Sequence, residues 1–283
     1  MANIERRIFK KGSTTYYFSS RFFPKGVRSD VLKLYSFVRV VDDFVDKTPP
    51  DIESFKSIVR RWQHTKKEKD FGRFVPADES IGERVLANLC YLIHRYSLDP
   101  AWVDDFLKSM AMDIRGKKYP TIRDTVDYIY GSAEVVGLMM AKTLQLPNAA
   151  THYAKIQGRA MQFINMIRDI PEDDNLGRCY FPQNELKKFG LSSLSETAAL
   201  KNPEAFKQFI RFQIKRYRAW QDEANKGFEF IPRKLRVAIR TSVDMYDWTA
   251  KKIEKDPFII FERKVKPKKS RVIRRAMRRS FHS

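Results

Sequence analysis

Apolar residues recur along most of this chain at the three- and four-residue spacing of an amphipathic helix. From Asp30 to Val45 they form one stripe, with Ser29 or Asp30 as the expected N-cap. Asp99 and Pro100 are typical of the start of another helix, which the pattern carries to Ile114. Further helices are predicted over 52–64, 82–96, 121–144, 149–170, 204–228 and 232–256, with a loop over 66–81. We find no alternating strand pattern and no repeat, so the sequence predicts an all-α fold, with one domain over 1–262 and a basic tail over 263–283.

Two acidic clusters interrupt these helical patterns. Asp42 and Asp46 stand four residues apart in the first cluster, and Asn165, Asp169 and Asp173 repeat that spacing in the second. A spacing of four places side chains on one face of a helix. Neighbouring carboxylates in apolar surroundings repel each other unless a cation lies between them. Mg²⁺ prefers oxygen ligands and commonly bridges carboxylates to phosphate, so the clusters indicate a metal-dependent diphosphate site.

Other interpretations of these clusters remain open from the residues alone. Acidic pairs at this spacing also occur on helix faces that simply meet water. Arg39 and Arg168 either bind phosphate oxygens or pair with the adjacent aspartates. Pro171 removes a helical hydrogen bond and crowds the preceding turn, so the helix is expected to kink or end there. Asp173 is therefore not expected to share the face of Asp169 strictly.

Charge adds a preference for anionic partners. The 283 residues carry a formal net charge of +21, which attracts nucleic acid, acidic lipid or phosphorylated molecules. Neither the two cysteines nor the four histidines show metal-ligand spacing, so no zinc site is expected. The sequence has neither a signal-peptide pattern nor a bilayer-spanning apolar run, which predicts a cytoplasmic protein.

The C-terminal segment is the most basic part of the chain. Its lysines and arginines are offset from Val272, Ile273, Ala276 and Met277, which fall at helical spacing. This pattern is typical of a basic amphipathic helix on an anionic membrane, and the protein is then peripheral on that surface. A basic tail that is merely solvated is the alternative.

Several motifs together resemble the squalene/phytoene synthase family, the head-to-head isoprenyl diphosphate synthases. They are Ser13–Tyr17 followed by Phe23–Pro24, Leu34–Asp46, Gly131–Gly137, Gln162–Asp173 and Gly177–Pro182. The resemblance extends from about Ser13 to Lys264. It implies an all-α isoprenoid-synthase fold, a helical bundle around a central cavity.

The resemblance also implies roles for individual residues. Mg²⁺, with Mn²⁺ as an alternative ion, would be bound by Asp42, Asp46, Asn165, Asp169 and Asp173. Diphosphate or prenyl groups would be contacted by Ser13, Thr15, Tyr35, Arg39, Gln162, Arg168, Tyr246 and Arg263. The groups closest to the chemistry would be Asp42, Asp46, Asp169, Asp173, Arg39 and Tyr246. Asp113 matches another polar position at the cavity, although an ordinary helix carboxylate is the alternative, and Tyr246 also suits a plain core position.

The implied reaction is the condensation of two geranylgeranyl diphosphates to phytoene through a cyclopropyl diphosphate intermediate. Squalene or dehydrosqualene formation from farnesyl diphosphate is the alternative, and only squalene formation needs NADPH. The small Ser19 and Ser20 favour the longer prenyl chain modestly.

Two other classes of protein compete with this interpretation. A head-to-tail prenyltransferase or terpene cyclase would use DDxxD, which residues 42–46 satisfy, but the second motif does not repeat it. A nucleic-acid-binding helical protein would explain the charge but not the acidic clusters, which would repel phosphates without a metal. No nucleic acid is therefore expected as a partner.

Overall fold

The computed structural model describes residues 2–281 and the side chains of residues 4–280. Helices supply the regular structure of this described part, which contains no strand, so the all-α prediction is confirmed. The helices are α1 (Ala2–Gly12), α2 (Thr14–Ser19), α3 (Lys25–Asp46), α4 (Ile52–Glu68), α5 (Ile81–Tyr96), α6 (Pro100–Ile114), α7 (Ile122–Ile129), α8 (Val135–Thr143), α9 (Thr151–Arg168), α10 (Ile170–Asn175), α11 (Gln183–Lys188), α12 (Glu196–Lys201), α13 (Pro203–Lys226), α14 (Arg233–Lys255), α15 (Ile259–Glu262) and α16 (Lys269–Phe281). A π-helical turn, Tyr130–Glu134, joins α7 to α8.

Two predicted N-caps have different outcomes. At α6 the Asp99 carboxylate accepts a hydrogen bond from the backbone N–H of Ala101 at 2.9 Å, so that prediction is confirmed. At α3 the prediction of Ser29 or Asp30 is wrong, because the helix already begins at Lys25 after Pro24. Asp30 is buried within α3 and accepts a hydrogen bond from the Tyr96 hydroxyl at 2.6 Å, so its carboxylate joins two helices.

The predicted break near Pro171 is confirmed. Helix α9 ends at Arg168, Asp169 leaves the helical conformation with φ −98° and ψ 13°, and α10 begins at Ile170. Pro171 lies in the first turn of α10, where its missing N–H removes no helical hydrogen bond. Asp169 and Asp173 therefore project from different helices.

Three hydrophobic clusters hold the helices together. One is built mainly by α3, α4, α5 and α6, the second by α9 and α13 with the segments after α9, and the third by α1, α2, α14 and α16. Helix α3 also packs against α8, and α8 packs against α9. This arrangement brings the ends of α3 and α9, which carry the acidic clusters, to the same part of the molecule.

The contact between α8 and α9 is unusually close because glycines lie on both sides of it. A Cβ on Gly137 would strike the backbone oxygen of Ala154, and one on Gly158 would strike that of Ala133. The prediction of one regular helix over 121–144 misses the π-helical turn beside this contact. The close approach places the π-helical turn against the part of α9 that precedes Asn165.

The C-terminal segment is packed against the protein, although the sequence pattern predicts a separate tail from residue 263. Helix α16 contacts α2 and α14, and its Val272 and Ala276 are completely buried. The amphipathic helix is present, but its apolar face covers the third hydrophobic cluster. In the part of the chain that the structure describes, no helix is both long and apolar enough to span a bilayer.

Candidate active site

A polar chamber of about 270 Å³ lies where α2, α3, α6, α9, α10 and α14 meet. All but one of the predicted site residues line it: Ser13, Thr15, Tyr35, Arg39, Asp42, Asp46, Gln162, Asn165, Arg168, Asp169, Asp173 and Tyr246. Asp113 lines it as well. The two acidic clusters, more than a hundred residues apart in sequence, therefore face one space.

Arg263 is the exception, because the structure places this predicted substrate contact outside the chamber. It is exposed, it does not line the chamber, and its backbone is extended, with φ −165° and ψ 151°. Successive side chains of an extended segment point in opposite directions. Its neighbour Lys264 reaches Asp169 at 2.9 Å, and Lys266 lines the chamber, so the cations come from these two residues.

Arg178 is a further cation for which the sequence assigned no role. Its side chain is only 8% exposed, and it donates hydrogen bonds to Asp46 at 2.6 Å and to the backbone oxygen of Val45 at 3.0 Å. Gly177, with φ +69°, allows the chain to turn after α10 and direct Arg178 at the end of α3. The signal in the sequence is its place in the motif Gly177–Pro182, for which the resemblance gave no role to Arg178.

The carboxylates of the chamber are paired with these cations. Arg39 contacts Asp42 at 3.0 Å and also pairs with Asp43. Arg168 binds Asp169 through two hydrogen bonds, at 2.8 and 2.5 Å. The alternative that both arginines pair with adjacent aspartates is therefore what the structure shows. Because both guanidinium groups also line the chamber, an anion placed there would meet them directly.

Two carboxylates of the chamber, one of them the paired Asp42, nevertheless retain protons more strongly than usual. Burial raises the pKa of Asp42 to about 8, with Asp46 adding to the effect. Burial, together with Asp169 and Asp46, raises the pKa of Asp173 to about 8. Burial would also raise the pKa of Asp169, but Arg168 and Lys264 outweigh it, so that pKa lies below its ordinary value. The chamber therefore has more buried carboxylates than its own cations neutralise.

These groups suit a hard divalent cation that shares its coordination with another ligand. The Oδ1 atom of Asn165 is buried without a hydrogen-bond partner and belongs to a residue that lines the chamber. Within residues 2–281, no three acidic, histidine or cysteine side chains form a ready-made metal site. Mg²⁺ commonly uses one or two carboxylates and completes its coordination with water and phosphate oxygens. The residues present therefore fit an ion that binds together with a phosphate ligand.

Asp113 forms a buried network at one wall of the chamber. It accepts hydrogen bonds from the hydroxyls of Tyr128 at 2.7 Å and Tyr180 at 2.9 Å. The two tyrosine rings stack with centroids 4.8 Å apart. Burial raises the pKa of Asp113 to about 6, although the Tyr128 hydrogen bond opposes the shift. Asp113 is therefore a cavity group and also a structural link between α6, α7 and the segment after α10.

An apolar chamber of about 290 Å³ adjoins the polar one. It extends between α3, α8, α9 and α14, and Ser19 and Ser20 are buried in its wall. Six residues line both chambers: Tyr16, Tyr35, Val38, Ser132, Gln162 and Asn165. The site thus accepts an elongated molecule with an anionic head and a long apolar tail.

An all-α body with this pair of chambers suits an enzyme that binds a molecule with an anionic head and an apolar tail, as a prenyl diphosphate has. The family model for squalene/phytoene synthase matches residues 9–271, and the chain belongs to this family. It is therefore an enzyme that transfers prenyl groups, as predicted, and the family uses prenyl diphosphate substrates. The match ends within α16, so most of that helix lies beyond it.

Individual relatives agree with this membership. The chain is 29% identical over 245 residues to a 15-cis-phytoene synthase of Pantoea ananas, covering 86% of this chain and 79% of the relative. It is 30% identical over 240 residues to a presqualene diphosphate synthase of Zymomonas mobilis, covering 80% and 77%. A dehydrosqualene synthase crystal structure in complex with ligand superposes with a TM-score of 0.81 at 22% identity, covering 98% of this chain and 94% of the other. A squalene synthase from Alicyclobacillus acidocaldarius gives a TM-score of 0.72 at 22% identity, covering 90% and 93%.

The raised carboxylate pKa values predict how stability depends on pH in the metal-free protein. Between pH 4 and 8, Asp42 and Asp173 hold protons in the folded state and lose them on unfolding, so stability should fall as pH rises through this window. Asp173→Asn removes one of these groups. In EDTA at pH 8 it should raise the melting temperature by several degrees, since about 1 kcal/mol shifts Tm by about 2–4 °C in domains of 150–250 residues.

The measurement is thermal unfolding followed by circular dichroism from pH 5 to pH 9, always in chelator. Asp222→Asn on α13 is the control, because it removes the same charge from an exposed position. An Asp173→Asn variant that melts at the wild-type temperature at pH 8 would contradict the assigned carboxylate environment.

Proposed function

We propose that the protein condenses two geranylgeranyl diphosphates head to head and forms phytoene. The observation that supports this most directly is the junction of the two chambers. A charged space large enough for phosphate groups opens into an apolar space through shared side chains. Two prenyl diphosphates share this division into anionic head and apolar tail.

The diphosphate heads are bound by the cations of the polar chamber. Arg39, Arg168 and Arg178 each pair with a carboxylate. Phosphate oxygens offer the same guanidinium groups a second acceptor, with comparable bidentate geometry. Lys264, which shares Asp169 with Arg168, and Lys266 add two ammonium groups near Arg168. Together they neutralise the charge that develops on the leaving diphosphate.

Mg²⁺ would be held by Asp42, Asp46, Asn165, Asp169 and Asp173, and when bound it supplies Lewis-acid stabilisation of the diphosphate oxygens. Its binding requires the carboxylates to be deprotonated, so the protons held by Asp42 and Asp173 must leave. The cation would take the place of these protons in balancing the negative charge of the carboxylates.

The reaction proceeds by two ionisations. Breaking the C1–O bond of the first substrate releases diphosphate and leaves an allylic cation. The C2–C3 double bond of the second substrate attacks that cation, and loss of a proton closes a cyclopropane that still carries diphosphate. Departure of this second diphosphate gives a cation that rearranges to the 1-1′ linkage. A second proton is lost as the central alkene forms, so two diphosphates and two protons leave and no hydride is consumed.

The protein protects these cations with aromatic faces and with a dry chamber. The rings of Tyr16 and Tyr246 lie 5.7 Å apart, and those of Tyr16 and Tyr35 lie 6.5 Å apart, beside the junction. Electron-rich ring faces attract cations. The apolar chamber beyond them excludes the water that would quench the intermediates. Tyr246 thus serves both as a core residue and as a wall of the site.

The experiment is an incubation of the pure protein with Mg²⁺ and either geranylgeranyl or farnesyl diphosphate, each with and without NADPH. Phytoene should form from the C20 substrate without NADPH, with kcat/KM at least about tenfold above that for farnesyl diphosphate, because the extra isoprene unit is buried. Products are identified by chromatography and mass spectrometry. Consumption of farnesyl diphosphate alone would reject the phytoene assignment and leave the family membership intact.

The length of the prenyl chain that the apolar chamber can hold gives a second prediction. Ser19 and Ser20 are 3% and 2% exposed, and both line the apolar chamber, so their small size leaves it room. Ser20→Phe replaces the hydroxyl group with a phenyl ring there. It should lower turnover of geranylgeranyl diphosphate at least about tenfold while reducing farnesyl diphosphate turnover much less.

The two substrates are compared by kcat/KM, with Ser20→Ala as the matched control that keeps the chamber open. Equal losses of kcat/KM for both substrates in Ser20→Phe would show that Ser20 does not limit the length of the prenyl chain.

We propose that any membrane contact uses the outer, basic face of α16, since the apolar residues Val272 and Ala276 are buried. Arg274 and Lys268 are exposed on the outer surface, and Met277 is 51% exposed. Attraction of each such charge to an anionic surface contributes about 1 kcal/mol. Contact by this face would be electrostatic and sensitive to salt.

The double variant Lys268→Glu/Arg274→Glu should weaken cosedimentation with phosphatidylglycerol vesicles at least about tenfold at low salt. Lys56→Glu/Lys67→Glu on α4 carries the same charge change and should bind more strongly than the α16 variant. Equal binding by the two variants would count against a specific membrane face. Deleting the segment after Pro267 is a poorer test because it would uncover the core around Val272.

A further inference from the structure

Helix α16 is held to α14 by one carboxylate that binds two arginines. Asp244 accepts hydrogen bonds from Arg275 at 2.6 and 3.1 Å and from Arg279 at 2.9 and 2.8 Å. The Asp244 side chain is 13% exposed, whereas its partners Arg275 and Arg279 are 40% and 32% exposed, so the carboxylate is shielded and the arginines still meet solvent. Burial alone would raise its pKa, but the two guanidinium groups keep it below the ordinary value. Val272 and Ala276 are buried beside this contact, which we call the Asp244 clasp.

The helix fixed by the clasp also covers α2. Lys269 lies over the ring of Phe18 in α2, with its Nζ 5.1 Å from the ring centroid. Arg271 lies over the ring of Trp248 in α14, 4.9 Å from the centroid. Helix α16 therefore joins two helices that form walls of the polar chamber, although no residue of α16 lines that chamber.

The short segment before α16 enters the chamber. Residues 264–268 form neither helix nor strand. Val265 is buried in the second hydrophobic cluster, Pro267 is buried as well, and α16 anchors the end of the segment. Lys264 contacts Asp169 at 2.9 Å and Glu172 at 2.7 Å, and Lys266 and Pro267 line the chamber. Burial, followed by the nearby Arg168 and Lys264, lowers the pKa of Lys266. Asp169 and Glu172 offset part of the repulsion among these cations, and a phosphate group in the chamber would offset more of it.

We propose that the Asp244 clasp is a positioning device that holds Lys266 in the diphosphate chamber. Asp244 does not line either chamber and acts through α16 and the 264–268 segment. When the clasp opens, α16 keeps its apolar contacts but loses these ion pairs to α14, so that Lys266 is held less firmly beside Arg168. The inference rests on the proposed diphosphate site but not on the identity of the prenyl tail.

The test is a double-mutant cycle on Asp244 and Lys266, read as the affinity for Mg²⁺ with inorganic pyrophosphate by titration calorimetry. Lys266→Ala should weaken pyrophosphate binding about tenfold, and Asp244→Ala about fivefold. If the clasp acts through Lys266, the double variant should lose only about tenfold, because the second change removes nothing further. Asp244→Glu should retain affinity within about twofold, since its carboxylate can still meet both arginines.

Glu185→Ala is the matched control. Glu185 is also 13% exposed and binds Arg216 by two hydrogen bonds, at 2.9 and 2.5 Å, but it lines neither chamber. Its loss should lower the melting temperature and leave pyrophosphate affinity unchanged. Asp244→Asn repeats the test with the side-chain volume preserved.

Independent losses that multiply to about fiftyfold in the double variant would overturn the proposal, since the two residues would then act separately. Wild-type affinity in Asp244→Ala, or an equal loss in Glu185→Ala, would overturn it as well. Because the readout is pyrophosphate, a protein that makes another product would still show the coupling. Conversely, a phytoene-forming protein without coupling would reject the clasp alone.

Discussion

The constraint on which the site depends is the cost of keeping several carboxylates beside an apolar chamber. A buried carboxylate is tolerated when it is paired, hydrogen-bonded or protonated. All three solutions occur here: Arg168 and Lys264 pair with Asp169, two tyrosines bind Asp113, and Asp173 retains its proton through a raised pKa. Removal of one cation from such an array leaves a charge without compensation, so the members depend on each other.

This dependence explains why elements distant in sequence end at one place. Arg178 binds a carboxylate 132 residues earlier, at the end of α3. The glycine contact between α8 and α9 lets two helix backbones approach closely, and it does so beside the junction of the chambers. The close helix packing and the charge array therefore support each other. Apolar packing supplies the dry surroundings that strengthen the ion pairs, and the ion pairs satisfy groups that would otherwise disfavour the packing.

Much of the fold and the acidic half of the site could be predicted, because both follow from local periodicity. A spacing of four residues places Asp42 and Asp46 on one face of a single helix. Pro171 predicts the helix break at its own position. The cations Arg178, Lys264 and Lys266 were harder to predict than Arg39 and Arg168, because they lie on segments without periodicity. Arg263 and Lys266 are equivalent in sequence as basic residues near a helix end, and only the course of an extended chain decides which one meets the chamber. The π-helical turn has no distinct sequence signal, since it arises from packing against α9.

The C-terminal helix also shows how far the sequence alone could predict the structure. An amphipathic pattern predicts that the apolar face of a helix is covered, but it does not identify the protein or membrane surface that covers it. Here other helices of the protein cover that face. Two basic residues beside it, Arg275 and Arg279, bind Asp244. The side of α16 that remains outside carries exposed basic residues at Arg271 and Arg274. One short helix can thus close the core, direct a neighbouring lysine into the chamber and still present positive charge to the surroundings, because these three tasks use different faces of it.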